Sequence, residues 1–182
     1  MDAPRRGAAA TVAALRGLGV TRTVMLPGDD QRVADAVGRA VGVDEAFGGL
    51  MPQDEVAEVA RLRRTARTAM IGDGVNDAPA MAGATVGVAM GAAGSAVALE
   101  TADIALMSDD LSHLPFITGL SRRAGRVIRQ NLWLSLGIVA VLVPATALGL
   151  GIGPAVLVHE GSTLVVVANA LRLLRYRDRS AG

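Results

Sequence analysis

An α/β domain with a mostly parallel sheet, followed by a two-helix membrane hairpin, is the fold class that this sequence predicts. Three observations predict it. Short apolar runs alternate with amphipathic stretches through residues 22–107, the rhythm of strands and helices that builds a parallel sheet. Two of those runs end in loops pairing glycine with acids, Gly28-Asp29-Asp30 and Gly72-Asp73-Gly74-Val75-Asn76-Asp77. From Leu132 to Leu171 the only ionisable residues are His159 and Glu160, and about 20 apolar residues suffice for one membrane crossing.

The elements follow in order. Thr23 to Leu26 reads as a buried strand, and a helix is expected from Gln31 to about Val41. Ala46 to Leu50 is a weaker strand. Pro52 then opens a helix to about Ala66, since proline suits a first helical turn. Thr68 to Ile71 is a strand, Asp77 to Ala82 a short helix, and Val86 to Met90 and Ile104 to Met107 two further strands. Gly149, Gly151, Gly153 and Pro154 break the apolar stretch at a turn. A hairpin buried in a soluble protein is the alternative, and the flanking charges oppose it. Arg122, Arg123, Arg126 and Arg129 precede the first span, and Arg172, Arg175, Arg177 and Arg179 follow the second. A hairpin places both clusters on one side of the bilayer, and the positive-inside rule makes that side cytoplasmic. This gives a soluble domain over 1–110, a basic linker helix over 111–131, spans over 132–153 and 154–175, and a cytoplasmic tail over 176–182.

Composition narrows the function. The chain is 51% hydrophobic but 2% aromatic, with a formal net charge of +1 and no cysteine. The charge gives no overall electrostatic case for nucleic-acid binding, and the lack of cysteine excludes disulfides and thiolate metal sites. No cleaved signal peptide is expected, because Arg5 and Arg6 are followed by no apolar core of the right length. Ligands of open parallel sheets gather at the carboxyl ends of strands, where both acidic loops are expected. Glycine admits a ligand to the backbone, and carboxylates spaced by a few residues suit Mg²⁺ and a phosphoryl group. The same residues also serve as Asx-turns and helix caps, and spacing alone leaves both readings open.

The run Gly72-Asp73-Gly74-Val75-Asn76-Asp77-Ala78-Pro79-Ala80 resembles the Gly-Asp-Gly-x-Asn-Asp-x-Pro signature of P-type ATPases, within the haloacid-dehalogenase-like superfamily. Met25 to Asp30 is similar to the family's Thr-Gly-Asp-Asn segment. Ala89-Met90-Gly91, Glu100 to Leu106, Ser121-Arg122-Arg123 and Ile128 to Leu132 resemble downstream stretches of its heavy-metal branch. His159-Glu160-Gly161-Ser162-Thr163 resembles the His-Glu-Gly-x-Thr motif of the cobalt and zinc type. The resemblance covers nearly the whole chain and keeps its order. It implies a carboxy-terminal fragment: part of a Rossmann-type phosphorylation domain, then the membrane hairpin of an ATP-driven exporter in the plasma membrane, with both termini cytoplasmic.

It further implies Asp73 as magnesium ligand with Asp77, and Asn76 and Asp77 as organisers of the phosphorylation site. Gly28 and Asp29 would face the phosphoryl group. For the transported ion, His159, Glu160, Ser162 and Thr163 are the candidates, and imidazole with carboxylate suits Co²⁺ or Zn²⁺. An ionisable pair inside a membrane helix is costly and points to function; the alternative is a pair at the polar membrane edge near Pro154 that binds nothing. His159 and Glu160 lie about 100° apart on a regular helix and reach one ion only if it unwinds, which Gly161 eases. Asn169 reads as a helix–helix hydrogen-bonding residue.

Departures from the pattern limit the expected activity. No Asp-Lys-Thr-Gly acceptor segment occurs in the 182 residues, so the chain by itself is expected to form no phospho-enzyme and to hydrolyse no ATP. Pro27, Asp30 and Glu55 stand where the family has threonine, asparagine and lysine. A reversed charge at about 4 Å from a phosphate is worth roughly 4 kcal/mol at an effective dielectric of 20, and Arg61 or Arg63 are candidates to offset it. A separately encoded amino-terminal half is one implied partner. A non-catalytic membrane-associated protein or a degenerate relic is the alternative. A free-standing phosphatase would need an amino-terminal Asp-x-Asp strand, which Met1-Asp2-Ala3 does not open.

Overall fold

The computed structural model describes residues 7–72, 76–91 and 100–176. The chain divides into two compact units, Met1–His113 and Leu114–Gly182.

In the first unit, parallel strands alternate with helices. Helix α1 (Ala8–Gly17) precedes strand β1 (Val24–Met25), followed by α2 (Gln31–Val41), β2 (Glu45–Ala46), α3 (Pro52–Thr65), β3 (Ala69–Gly72), α4 (Ala78–Gly83), β4 (Val86–Met90) and β5 (Ile104–Leu106). The strands form two parallel sheets, β1 with β2 and, in order, β3-β4-β5. The first pairs Val24 with Glu45; the second pairs Ala69 with Val86 and Val88 with Ile104. The weaker strand expected at Ala46 to Leu50 therefore sits earlier and is shorter. Its position is set by pairing with β1 and not by its own apolar run. The opening helix α1 was not anticipated.

Local chemistry explains the helix ends. Asp30 caps α2 by accepting from Arg32 N–H at 2.9 Å, and Gly42 closes it at φ 81°, a left-handed conformation that costs glycine little. Ala34, Gly38 and Val41 line its buried face at the spacing of one helix face. Pro52 starts α3, and Asp54 accepts from Met51 N–H at 3.2 Å. Val59 and Leu62 bury the inner side of α3. β4 runs through the middle of its sheet, with Val88, Ala89 and Met90 buried.

Among the described residues, two small clusters stand out in the core. Ala78, Met81 and Ala89 pack with Met70, Ala102 and Ala105. Val59, Ala80 and Ala84 pack with Leu26, Val56 and Met70. Leu26 follows β1 and Met70 lies in β3, so the two sheets share one apolar floor although no ladder joins them.

The second unit is helical. Helix α5 runs unbroken over His113–Ala147, 35 residues, and α6 spans Ile152–Leu171 before a 3₁₀ turn at Arg172–Arg175. The linker and first span expected separately are thus one helix. The turn falls at 148–151, with Gly149 at φ 104°. Pro154 lies inside the first turn of α6, where its missing N–H leaves no bond unmade. Both helices are long and apolar enough to cross a membrane, with mean hydropathy 1.5 and 1.3 and almost none of the apolar stretch buried. Trp133, Val141, Leu157 and Leu164 are each more than two-thirds exposed. The apolar stretch is therefore no buried soluble hairpin within this chain, because it has no core of its own to enter.

Candidate functional site

The acidic loops stand where strand geometry puts ligands, at the carboxyl ends of β1 and β3. After β1, Gly28 and Asp29 are exposed. A side chain at Gly28 would meet nothing within 4 Å, so the loop backbone is open to approach. What holds this loop is Gln31. Its amide donates to the Ala46 carbonyl at 2.8 Å and to Asp35 at 2.7 Å, and its carbonyl accepts from Gly48 N–H at 2.7 Å. The Asp29 carbonyl accepts from Gly49 N–H at 2.6 Å. Gly48 presses so close that a Cβ would lie 2.6 Å from Gln31 Cα and 2.7 Å from the Asp29 carbonyl oxygen. Gln31, which sequence reasoning passed over as an ordinary helix residue, thus fixes the loop through partners up to 17 residues away. Asp30 serves as the cap of α2.

After β3, Asp73, Gly74 and Val75 lie outside the described residues, so the expected magnesium ligand Asp73 is not placed. Asn76 is exposed and Asp77 half-buried. Asp77 stands at the start of α4 without capping it by its side chain. The carboxylate instead fills the space beside Gly72, where a Cβ would lie 2.7 Å from Asp77 Cβ and 2.8 Å from its Cγ. Glycine at position 72 is therefore a steric requirement for this placement of Asp77. The Asp77 carboxylate, held at a strand end, is a hard oxygen donor of the type Mg²⁺ takes.

Charges around α3 are committed elsewhere. Arg61 makes a two-pronged pair with Glu58, one arm at 2.7 Å, which holds the Glu58 carboxyl below its ordinary range. Arg63 donates to the Gly83 carbonyl at 3.1 Å. Both arginines named as candidates to offset Glu55 are thus engaged with other groups. A groove of about 490 Å³ along α3, lined by Phe47, Leu50, Asp54, Ala57, Glu58, Arg61 and Arg64, includes neither acidic loop.

The membrane-side candidates all lie on α6. The helix is continuous through them, so His159 and Glu160 keep their separate directions and Gly161 introduces no break. Ser162 Oγ donates to the His159 carbonyl at 2.6 Å, and Thr163 Oγ1 donates to the same oxygen at 3.3 Å. Such back-bonding is how hydroxyls settle inside apolar helices. Among the described residues, no three His, Cys, Asp or Glu side chains gather into a metal-holding group. Asn169 crosses to α5, donating to Asn131 Oδ1 at 2.8 Å, as its position in an apolar helix implied. The rings of Phe116 and Tyr176 meet at a 47° tilt with centroids 5.5 Å apart, so the polar ends of the two helices lie together. Arg172 and Arg175 therefore share one end of the hairpin with Arg122 to Arg129.

Comparison with known proteins agrees with this architecture. Residues 1–85 match the haloacid dehalogenase-like hydrolase family. The chain is 45% identical over 179 residues to a probable cadmium-transporting ATPase of Listeria monocytogenes, covering 97% of this chain and 25% of that protein. It is 46% identical over 167 residues to a cadmium-transporting ATPase of Staphylococcus aureus, covering 91% and 23%. The crystal structure of a zinc-transporting PIB-type ATPase in the E2.Pi state superimposes with a TM-score of 0.88 at 44% identity, over 96% of this chain and 29% of that one. The chain spans about a quarter of the length of the curated relatives it matches. With its haloacid dehalogenase-like half, acids at its strand ends and two apolar helices, the chain is similar over nearly its whole length to about a quarter of these heavy-metal-transporting P-type ATPases.

Proposed function

We propose that this chain works as part of an ATP-driven pump for a divalent heavy metal of the cobalt or zinc type. Residues 1–110 supply the magnesium-binding half of the phosphorylation site, and 111–131 is the linker into the membrane. Residues 132–153 and 154–175 are the two crossings, with 176–182 a cytoplasmic tail. The basic ends of α5 and α6 face the cytoplasm of a plasma-membrane pump. The observation that carries the reading is the ionisable pair His159–Glu160 inside an apolar helix with almost no buried surface. Lipid alone gives such a pair no reason to exist.

At the soluble end, Asp77 with Asp73 would hold Mg²⁺, which when bound neutralises charge on a phosphoryl group. Asn76 with Asp77 would organise the phosphorylation site, and the loop of Gly28 and Asp29, open at the Gly28 backbone, would face the phosphoryl group. ATP and the acceptor aspartate come from residues outside these 182, on the same chain or on a separately encoded half. At the membrane end, His159 offers imidazole and Glu160 a carboxylate in directions about 100° apart. On an unbroken helix they cannot close around one ion alone, so other helices of the pump complete its shell.

The test is a chimera in which this segment replaces the matching quarter of the Listeria monocytogenes relative. Cells carrying it should withstand cadmium or zinc, and His159→Ala and Glu160→Gln should each lower metal export at least tenfold while Val156→Leu does not. Export unaffected by both α6 substitutions would overturn the proposed cargo site.

A further inference from the structure

The half-buried positions of the two apolar helices mark a seam whose spacing is readable residue by residue. On α5 the half-buried positions of the apolar part are Asn131, Ile138, Leu142 and Ala145, and on α6 they are Ala155, Ser162, Val166 and Asn169. Each set steps by seven, four and three residues toward its carboxyl end, the repeat of one helix face turned to a neighbour. Ile138 lies seven residues past Asn131, and Ser162 seven before Asn169, so these two share a level, as do Ala145 and Ala155 at fourteen.

A cluster of amides sits at the basic end of this seam. Asn169 Nδ2 donates to Asn131 Oδ1 at 2.8 Å and to Gln130 Oε1 at 3.3 Å. Asn131 Nδ2 donates to the Val166 carbonyl at 3.4 Å, and Arg172 donates to Asn169 Oδ1 at 3.1 Å. The rest of the contact between the apolar stretches is aliphatic or small. In lipid, aliphatic contacts give two helices little preference for one rotation over another, because hydrocarbon surrounds them on every side. Paired amides do give one: a rotation of α6 by a single residue strands several polar atoms in an apolar medium.

We propose that Asn131 and Asn169, with Gln130 and Arg172 beside them, form a rotational lock that fixes which way the ionisable pair on α6 points. Asn169 is turned toward α5. Ser162, seven residues before it, is within about 20° of the same direction. Glu160 lies nine residues before it, about 180° away, and therefore faces directly opposite α5. His159 stands about 80° off the seam. The lock thus turns the carboxylate toward whatever helix packs on the outer side, and keeps the imidazole at the rim of the hairpin. Asn131 and Asn169 are positioning residues that touch no ion. The consequence for transport rests on the cargo site proposed above, whereas the lock itself does not.

The absence of cysteine from the chain allows a direct test in the 182-residue protein in lipid vesicles. Cysteines are introduced at Ile138 and Ser162, which the seven-residue step from Asn131 and Asn169 puts at one level, and separately at Ile138 and Thr163, one residue of rotation away. With Asn131 and Asn169 intact, disulfide formation should favour the first pair over the second by about tenfold, the order that one interhelical polar contact in a bilayer supports. The double substitution Asn131→Leu and Asn169→Leu should keep the hairpin closed, with total cross-linking undiminished, while that preference falls to near unity. Exchange of Asn169 for glutamine, which retains both amide functions, should restore at least part of it. A preference unchanged in the double leucine variant would overturn the lock, as would a loss of total cross-linking with the preference intact. Because no metal enters this measurement, its outcome is independent of whether His159 and Glu160 bind cargo.

Discussion

Glycine positions 28 and 48 look alike in the sequence and differ in what surrounds them. A methyl group at Gly28 meets open space, whereas at Gly48 it runs into the backbone of Asp29 and Gln31. Gly28→Ala is therefore expected to leave stability within about 0.5 kcal/mol. Gly48→Ala should cost about 1–3 kcal/mol by overpacking and displace the Asp29 loop with it. Urea unfolding of the two variants side by side reads the difference, and equal midpoints would refute the account of how this loop is held. Gly72→Ala belongs with Gly48→Ala, since it drives the new methyl into Asp77. The sequence disclosed these loops because glycine beside acid is a rare composition with few uses. It was silent on Gln31, whose partners Ala46 and Gly48 are brought near only by the crossover from β1 to β2.

The pairing of β1 with β2 depends on an acid beside the strands. Asp44 accepts from the Thr23 hydroxyl and from Thr23 N–H, each at 2.7 Å, and pairs with Arg16 of α1 at 2.6 Å. The Thr23 hydrogen bonds, with help from Arg16, hold its carboxyl below the ordinary value of 3.8. The contribution is therefore complete above that ordinary value and is lost as pH falls through the lowered one in the folded state. Glu58 behaves in the same sense through Arg61. Asp44→Asn should lower the urea midpoint at pH 7 and flatten its fall below pH 4. A variant with the parent's full acid sensitivity would show that the loss lies elsewhere.

Helices with explicit end signals were legible: Asp30 and Gly42 bound α2, and Pro52 opens α3. Helix α1 was not, because Ala8 to Gly17 is rich in alanine with no strong apolar stripe. The division of α5 into linker and span followed a change of composition at Leu132. Backbone hydrogen bonding ignores that change, and neither proline nor glycine interrupts the helix there. Strand β2 is two residues long, and its position depends on its neighbour, which no local pattern reveals.

For the whole molecule, the exposed apolar helices and the soluble unit make different demands on their surroundings. The chain should sediment with membranes and resist extraction by high pH, the behaviour of a protein whose helices span the bilayer. Recovery of most of it in the supernatant would contradict both crossings. The purified chain in vesicles should show no ATP hydrolysis above background, since no residue among the 182 is a candidate phosphate acceptor of the family type; steady turnover would refute this. The two-part architecture was legible because composition changes sharply along the chain. The division of the strands between two sheets was not, since strand signals carry no record of which edges find a neighbour.

The unbroken α5 has one mechanical consequence. Its 35 residues make a rod about 52 Å long at 1.5 Å per residue, with a stack of hydrogen bonds that resists compression along its axis. A push or twist applied where Leu114 begins the rod is delivered largely undiminished at its far end. Its interior proline other than Pro115, Pro144, sits within one turn of the tip, so no proline kink interrupts the shaft before its last turn.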